Sequence, residues 1–246
     1  MFKKHYTPIL SAALLLAGAH VAQAQVSIAP RIGLNASSIK FDVEGENPDS
    51  KLLYAPQAGV TLNAQFGNLS LQPSLLFSQK GGKFVEKGEE SITDDDGKTY
   101  KIKGEEKLTF RLSYLEVPVN LVYNTSGEEG GFQVFAGPYI GVGLSGKYKA
   151  ENEVSVNGEV VEELSGSDED DIEFVGEGTD ENNAELRRID WGLNAGVGYK
   201  SGPFQAQIGY GLGLGNLVPK YDNSDSNDKL HNRGVHFSVA YFFGAK

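Results

Sequence analysis

Apolar and polar residues alternate along this chain with a period of two, most regularly between Ile189 and Gly215. In this segment one set of alternate positions is apolar, and the other set is mainly Gly, Asn and Gln. Because successive side chains of a β-strand point to opposite faces, the pattern predicts a hairpin with one apolar face and one small or polar face. The small or polar face suits the crowded inside of a narrow closed barrel, whose apolar outside contacts lipid.

The same alternation predicts eight strands along the chain, at 26–34, 54–66, 69–77, 110–123, 132–144, 189–199, 204–214 and 235–243. Their connections alternate between short turns (67–68, 124–131, 200–203) and long polar loops (41–51, 82–107, 148–185, 217–232). Outer-membrane barrels have an even strand number, short periplasmic turns and long extracellular loops. The predicted fold is therefore all-β: an eight-stranded antiparallel up-and-down transmembrane β-barrel with both termini periplasmic.

Aromatic residues beside the short turns predict an interfacial girdle made of Phe66, Tyr123, Phe132, Tyr199, Phe204 and Phe243. In the fourth strand the apolar phase slips by one residue at Tyr114–Leu115, which predicts a β-bulge there. This interpretation places Leu112 and Tyr114 on the lipid-facing side and Arg111 in the lumen. Prolines interrupt five strands, at Pro30, Pro56, Pro73, Pro118 and Pro138, so either a layer of bulges or later strand starts is expected.

The N-terminus has the features of a secretory signal. Lys3 and Lys4 precede an apolar stretch at 9–19, and Ala22-Gln23-Ala24 fits the small-x-small cleavage rule. We therefore predict a cleaved signal peptide at 1–24, a single barrel domain at 25–246, and location in a bacterial outer membrane. The chain has no cysteine, which excludes a disulfide-stapled domain and thiolate chemistry.

The acidity of the protein lies in one predicted loop. The formal charge of −11 becomes −13 once Lys3 and Lys4 are removed, and the segment 150–186 alone contributes −14, which leaves +1 elsewhere. This distribution argues against nucleic-acid binding. The density of like charge predicts that much of the loop is mobile, although 154–161, around Asn157-Gly158, could form a hairpin that prolongs two strands beyond the membrane.

Three segments resemble those of a known family: 114–119 (Tyr-Leu-Glu-Val-Pro-Val), 135–141 (Phe-Ala-Gly-Pro-Tyr-Ile-Gly) and 190–199, together with the closing strand at 233–237. They are similar to PorT-family outer-membrane β-barrels of Bacteroidetes-type bacteria. The resemblance covers nearly all of the mature chain and implies a single eight-stranded barrel. It also implies a function as an accessory component of a protein-secretion machinery, since one member of the family has such a role. It supplies no catalytic motif.

The lumen of an eight-stranded barrel is just wide enough for side chains to fill it, and charges inside must pair. Polar residues at inward positions predict a structural network made of Arg31, Arg111, Glu116, Arg188 and Asp190. This network is interpreted as a plug that holds the shape of the barrel.

No stretch of the chain carries a complete catalytic or cofactor motif. The segment 141–147 has the spacing of a phosphate loop, but Tyr148 follows where Ser or Thr is required, and no helix is predicted after it. The acidic runs 94–96 and 168–171 miss the EF-hand pattern, which leaves only loose divalent-ion binding open. The mature chain has two histidines, His231 and His236. The expectation is a non-enzymatic protein with no catalytic residue, cofactor or metal.

The predicted function is a structural or loop-mediated binding role by a monomer. Its partners would be outer-membrane lipid and a protein bound through the extracellular loops. Two alternatives stay open: the secretion accessory, and a lipid-modifying enzyme that uses His231 beside Asp222, Asp225 or Asp228 with Ser224 or Ser226. A soluble lipocalin-like carrier would need the opposite phase, apolar inside and polar outside.

Overall fold

The computed structural model describes residues 25–42, 50–176, 184–220 and 228–244. The predicted signal peptide lies outside the described residues. Within them the strands are β1 (Gln25–Asp42), β2 (Leu53–Phe66), β3 (Leu69–Thr93), β4 (Thr99–Asn124), β5 (Gly130–Val156), β6 (Glu159–Val160), β7 (Gly166–Val175), β8 (Glu185–Arg187), β9 (Ile189–Ser201), β10 (Phe204–Gly213) and β11 (Lys229–Tyr241). Two single-turn 3-10 helices lie at Gly127–Glu129 and Glu162–Leu164. No helix of the described chain is long and apolar enough to cross a membrane.

Eight of these strands close into a ring in the order β1-β2-β3-β4-β5-β9-β10-β11, and β11 returns to pair with β1. Every pair around the ring is antiparallel. The eight-stranded barrel predicted from the alternation is therefore confirmed. The remaining strands lie outside the ring: β6 and β7 pair with the C-terminal half of β5, and β8 pairs with β7.

The two faces of the barrel wall have opposite polarity, as the alternation predicts. Outward positions are apolar and exposed, and inward positions carry buried amides and hydroxyls such as Gln57, Thr61, Asn63, Gln207 and Ser238. The predicted girdle aromatics lie together at the short-turn end of the barrel. There Phe132 contacts Tyr199 at 5.2 Å between ring centroids, and Tyr241 contacts both Phe204 (5.0 Å) and Phe243 (5.1 Å).

The in-strand prolines neither shift the register nor delay the strands. Thr61 pairs with Ser74 and Ala64 with Leu71, so the β2–β3 register is the same on both sides of the gap beside Pro73. Equivalent gaps lie beside Pro118 in the β3–β4 ladder and beside Pro138 in the β4–β5 ladder. Proline removes a single ladder donor, and here the neighbouring pairs hold the strand in place. The expected bulges and late starts are therefore wrong.

The register irregularity between β4 and β5 lies one residue from the predicted position, and it is in the other strand. Ser113 pairs with Ser145 and Tyr114 with Gly143, which leaves Leu144 of β5 without a β4 partner. The alternation of β4 is unbroken. Leu112 and Tyr114 therefore point inward and are fully buried, and Arg111 is exposed on the outer surface. The prediction that Leu112 and Tyr114 face lipid is wrong.

Three strands are much longer than a membrane requires. β3, β4 and β5 have 25, 26 and 27 residues, whereas a tilted transmembrane strand needs about 9–11. Beyond the barrel they continue, with β7 beside β5, as a four-stranded sheet at the end opposite the short turns. We call this sheet the ribbon and define it as residues 83–93, 99–109, 147–156 and 166–171. Within the acidic segment, β5 and β6 form the hairpin proposed at Asn157-Gly158, where both residues have positive φ. The described parts of that segment are thus largely strand.

The polarity of the sheet inverts where the barrel becomes the ribbon. On β4, Leu115 is the last lipid-facing residue of an apolar series, and Arg111, Lys107 and Lys103 continue the same face upward. The opposite face changes from the buried amide of Asn120 to apolar residues such as Phe110. In water a sheet is more stable with its apolar face covered and its charged face solvated. This inversion explains the apparent phase slip in the sequence and marks the membrane boundary.

Candidate functional site

The charged centre of the lumen is Lys80, at the inner face of β3. Its ammonium forms an ion pair with Glu116 of β4 and lies 3.8 Å from a carboxylate oxygen of Asp190 of β9. The Lys80 Nζ also lies 4.3 Å from the centroid of the Tyr139 ring, over its face. All of these side chains are buried or nearly so, and the cation is surrounded by two carboxylates and an aromatic ring.

Hydrogen bonds tie this ion cluster to the remaining wall of the barrel. Asp190 accepts from the Tyr139 hydroxyl at 3.4 Å and from Asn232 Nδ2 of β11 at 3.1 Å. The Asn232 amide also lies 3.3 Å from the Tyr114 hydroxyl oxygen. The network therefore links β3, β4, β5, β9 and β11 across the lumen. A buried charge is tolerated only when it is paired and hydrogen-bonded, and this arrangement meets that condition for Lys80 and Asp190.

Toward the short-turn end, the lumen is filled by a chain of side-chain amides. Gln205 Nε2 donates to Gln133 (2.8 Å) and Gln72 (3.3 Å), and Gln72 in turn donates to Asn63 at 3.0 Å. Gln133 donates to Asn124 at 2.5 Å. Because these groups bond to one another across the barrel, this half of the lumen is a hydrogen-bonded core.

Arg31 lies between these two layers and is 3% exposed. Its Nε and Nη1 have no hydrogen-bond partner among the described residues. With Asn35, Asn120 and His236 it lines a cavity of about 40 Å³, which is room for only a few water molecules. The lumen therefore has no space for an organic ligand at this level.

The structure brings together three of the five residues predicted for the lumen network. Arg31, Glu116 and Asp190 are inside the barrel, whereas Arg111 and Arg188 are exposed and take no part. Arg111 is outside because the β4 alternation does not slip. Arg188 lies at a bend before β9, and its guanidinium donates to the Phe174 carbonyl, with Nη2 at 2.6 Å.

Lys80, the cation that pairs with Glu116, is absent from the prediction. The predicted third strand ends at Phe77, before a charged and glycine-rich sequence. Its alternation nevertheless continues, since Ser78 is inward and buried and Lys80 has the same parity. Extending the period by three residues would have placed Lys80 in the lumen.

An apolar layer closes the barrel above the ion cluster. Leu112, Tyr114, Ile172 and Phe174 form one buried cluster, and Ile39, Leu217 and Leu230 form another. Phe110 and Leu186 pack against both clusters and join them. Ring contacts extend the layer from Phe41 through Phe84 and Phe110 to Tyr148, with 5.2–6.4 Å between successive centroids. The barrel is thus filled by polar side chains and covered by apolar ones at the ribbon end.

The outer face of the ribbon carries a ladder of ion pairs. Lys107 Nζ lies 2.7 Å from Glu151, and Lys149 contacts the other oxygen of the same carboxylate at 2.9 Å. Lys147 contacts Glu169 of β7 at 2.7 Å. The hydrogen bonds from Lys107 and Lys149 lower the pKa of Glu151 to about 2, and the hydrogen bond from Lys147 lowers the pKa of Glu169. These pairs attach the acidic strand β7 and the end of β5 to the sheet.

Acid is therefore expected to release β7 from the ribbon. A carboxylate whose pKa is lower in the folded chain stabilises the fold above its unfolded pKa, and this stabilisation is lost as the pH falls through the folded value. The carboxylate that joins β7 to the sheet is Glu169, and its window opens as the pH falls below its ordinary pKa of 4.5. Amide protection factors of β7, corrected for intrinsic exchange, should fall across this window while those of β9 and β10 stay constant. Lys147→Gln should lower β7 protection already at pH 7. Unchanged β7 protection at pH 2 would contradict the role given to these pairs.

The remaining candidate motifs are the phosphate-loop-like segment, the two histidines and the acidic runs. The phosphate-loop-like segment 141–147 lies within β5, with no helix after it. His231 Nδ1 contacts the Gly215 carbonyl oxygen at 2.9 Å, and the His236 ring lies 6.2 Å from that of Phe135 inside the barrel. The residues proposed to assist His231 at 222–226 lie outside the described chain. No group of three His, Cys, Asp or Glu side chains in the described ranges is arranged to hold a metal ion.

The closed ring of eight strands, with its apolar outside and polar lumen, agrees with a family match. The model of the outer membrane protein β-barrel domain matches residues 21–218. The chain belongs to this family. Its membership places the protein in the bacterial outer membrane.

This chain is also similar to several solved structures. The attachment invasion locus protein Ail of Yersinia pestis, solved with the heparin analogue sucrose octasulfate, is 16% identical, with 89% of this chain and 99% of that chain covered and a TM-score of 0.35. Neisserial surface protein A is 10% identical (88% and 97% covered, TM-score 0.34). The N-terminal barrel domain of Pseudomonas aeruginosa OprF is also 10% identical (90% and 100% covered, TM-score 0.30). Among curated proteins, no sequence matches this chain.

Proposed function

We propose that this protein is a closed, non-enzymatic outer-membrane barrel that holds its ribbon outside the cell for contact with a protein partner. The observation that carries the proposal is the continuation of three barrel strands into a regular sheet above a filled and covered lumen. A transport role would need an open path, but the lumen holds a hydrogen-bonded amide core, an ion cluster and an apolar layer. An anchoring role alone would need no strands that continue about a dozen residues beyond the membrane.

The direction of the ribbon follows from the lengths of the connections. Outer-membrane barrels have short turns in the periplasm and long segments outside. The short turns at 67–68 and 202–203 are at one end, and the ribbon is at the other. On this basis the ribbon is extracellular and both termini are periplasmic. The secretion role implied by the resemblance to PorT-family barrels is a narrower form of this proposal, in which the partner belongs to an export machine.

Electrical recording tests whether the barrel is closed. Purified mature protein in planar lipid bilayers should give no unitary conductance, because every layer of the lumen is blocked by side chains. A large porin in the same bilayers provides the positive control. Reproducible single-channel steps that depend on insertion of this protein would contradict the closed-barrel proposal.

Capture of a partner on intact cells tests the binding role. A photo-crosslinking amino acid placed at position 103, on the outer face of the ribbon, or at position 102, on the inner face, should give a discrete crosslinked product with a second protein. A crosslinker at Ser126, in a short turn, serves as the control for the opposite membrane face. The absence of any specific product at both ribbon positions would overturn the partner-binding proposal.

A further inference from the structure

The inner face of the ribbon, which continues the lumen side of the barrel wall, is apolar and only partly covered. The apolar layer described above ends at Phe84, Phe110 and Tyr148. Above it, the same face carries Ile92, Tyr100, Ile102, Leu108, Val154 and Val156. Leu108 is 41% exposed and Ile92 is 48% exposed, and the other four are half-buried. Contiguous apolar residues on a solvent-facing surface are typical of an interaction site.

The charges on this face are acidic and lack ion-pair partners. Glu86, Glu90 and Glu106 form no ion pair with any described residue. Glu86 lies directly opposite Glu106 in the β3–β4 register, and like charges directly opposed across two strands destabilise a sheet. Asp168 and Asp170 of β7 add two more carboxylates to the same face.

The outer face of the same strands has the opposite organisation. Most of its carboxylates are paired with lysines: Glu105 with Lys87 at 2.6 Å and Glu89 with Lys103 at 3.4 Å, in addition to the pairs of Glu151 and Glu169. Glu153, opposite Glu105 in the β4–β5 register, forms no ion pair with any described residue. The contrast between faces is therefore a difference in pairing as well as in composition. Lys98, at the tip, approaches the inner face, and its ammonium lies 4.9 Å from the Tyr100 ring centroid. That contact shows how a cation can lie on this surface.

We propose that the inner face of the ribbon is the docking surface for an extended partner segment in which apolar residues alternate with Lys or Arg. The proposal rests on the binding function proposed above and specifies its partner. Apolar side chains would cover Ile102 and Leu108, and cations would neutralise the unpaired Glu86, Glu90 and Glu106. A cationic occupant would relieve the like-charge opposition of Glu86 and Glu106.

Other occupants lack this complementarity. A second copy of the chain would oppose the same carboxylates to themselves, and an anionic lipid headgroup would be repelled. The sequences 43–49, 177–183 and 221–227 contain no Lys or Arg and only two apolar residues with large side chains, Val43 and Tyr221. The partner is therefore a different protein with a basic, amphipathic segment.

A synthetic peptide tests the chemistry of this surface. The probe is a ten-residue alternating Leu-Lys peptide, titrated against the full mature protein in zwitterionic lipid nanodiscs, with empty nanodiscs subtracted. The triple variant Glu86→Gln, Glu90→Gln, Glu106→Gln should weaken binding roughly tenfold, because each exposed charge pair contributes about 0.5 kcal/mol. The matched outer-face triple variant Glu89→Gln, Glu105→Gln, Glu153→Gln should bind as the native protein does.

A second pair of variants tests the apolar contribution. Ile102→Asn, on the inner face, should weaken peptide binding roughly tenfold, as expected for loss of a buried aliphatic side chain. Ser155→Asn, on the outer face one register position from Ile102, should leave binding unchanged. All variants are first checked for native barrel folding by their heat-modifiable electrophoretic mobility.

Three results would overturn this inference: equal weakening by the outer-face triple variant, equal binding of an alternating Leu-Glu peptide, or binding of the native protein to anionic vesicles in preference to the cationic peptide. The crosslinking experiment separates this inference from the proposed function. A partner captured from position 103 but not from position 102 would leave the binding function standing and overturn the inner-face assignment.

Discussion

Replacing Lys80 with methionine is expected to lower the free energy of unfolding by about 3–5 kcal/mol, the range for removing one partner of a buried ion pair. The substitution leaves Glu116 and Asp190 close together in the lumen without their cation. Asp190 is 1% exposed, so water cannot replace the lost charge without entering the barrel. Urea unfolding in lipid or detergent, followed by the fluorescence of the single tryptophan, Trp191, measures the loss.

Two control variants identify the cause of this loss. Lys87→Met breaks an ion pair on the same strand whose side chains are 66% and 42% exposed, and exposed pairs contribute at most about 1 kcal/mol. The triple variant Lys80→Met, Glu116→Gln, Asp190→Asn removes all three charges together and should recover most of the stability. If Lys80→Met and Lys87→Met have equal effects, the ion cluster is not the buried centre of the lumen.

Replacing Leu193 with arginine is expected to lower the free energy of unfolding in lipid by about 2–4 kcal/mol, as for an arginine on the lipid face near the bilayer midplane. Leu193 lies on the outer face of β9 and is 51% exposed in the isolated chain. That surface is exposed to lipid in the membrane, and transfer of a guanidinium into hydrocarbon is costly.

The matched control is Leu164→Arg, in the 3-10 helix that follows the ribbon tip. Leu164 is 57% exposed, slightly more than Leu193, but it is expected to contact water. Surface substitutions of this kind change stability by no more than about 0.5 kcal/mol. Reversible folding into lipid vesicles, measured for both variants, should show a clearly larger loss of unfolding free energy for Leu193→Arg than for Leu164→Arg. Equal losses would show that the outward face of β9 is not the lipid face.

The barrel was predictable from the sequence because the lipid-facing and lumen-facing positions differ so strongly. Between Ile189 and Tyr199 every second residue is apolar, and the period of two requires no tertiary information. The eight strands, their turns and the hairpin at Asn157-Gly158 all follow from this local signal and from turn chemistry.

The site was harder to predict because the meaning of an apolar face changes along one strand. Leu112 and Tyr114 are apolar like the lipid-facing residues of β4, but they lie above the membrane and pack inward against Ile172 and Phe174. The sequence of β4 does not mark where the solvent changes from lipid to water, so the inversion was interpreted as a bulge. The same error placed Arg111 in the lumen, and the strand end assigned at Phe77 left out Lys80.

The pairing of individual charges could not be predicted from the alternation at all. The period places Glu116 and Asp190 in the lumen, but it does not tell which cation lies between them. That depends on the register of β3, β4 and β9, which is set by contacts around the whole ring. The unpaired carboxylates of the inner ribbon face are equally a consequence of register.

The most direct test of the account is the labelling of single cysteines on intact cells, since the native chain has no cysteine and the introduced one is the only site in the protein. Ser91, on the ribbon, and Ser126, in a short turn, are both exposed. A membrane-impermeant maleimide should label Ser91→Cys on intact cells and Ser126→Cys only after the outer membrane is permeabilised. Labelling of Ser126→Cys on intact cells, with Ser91→Cys protected, would contradict the account of a barrel that presents its ribbon outside the cell.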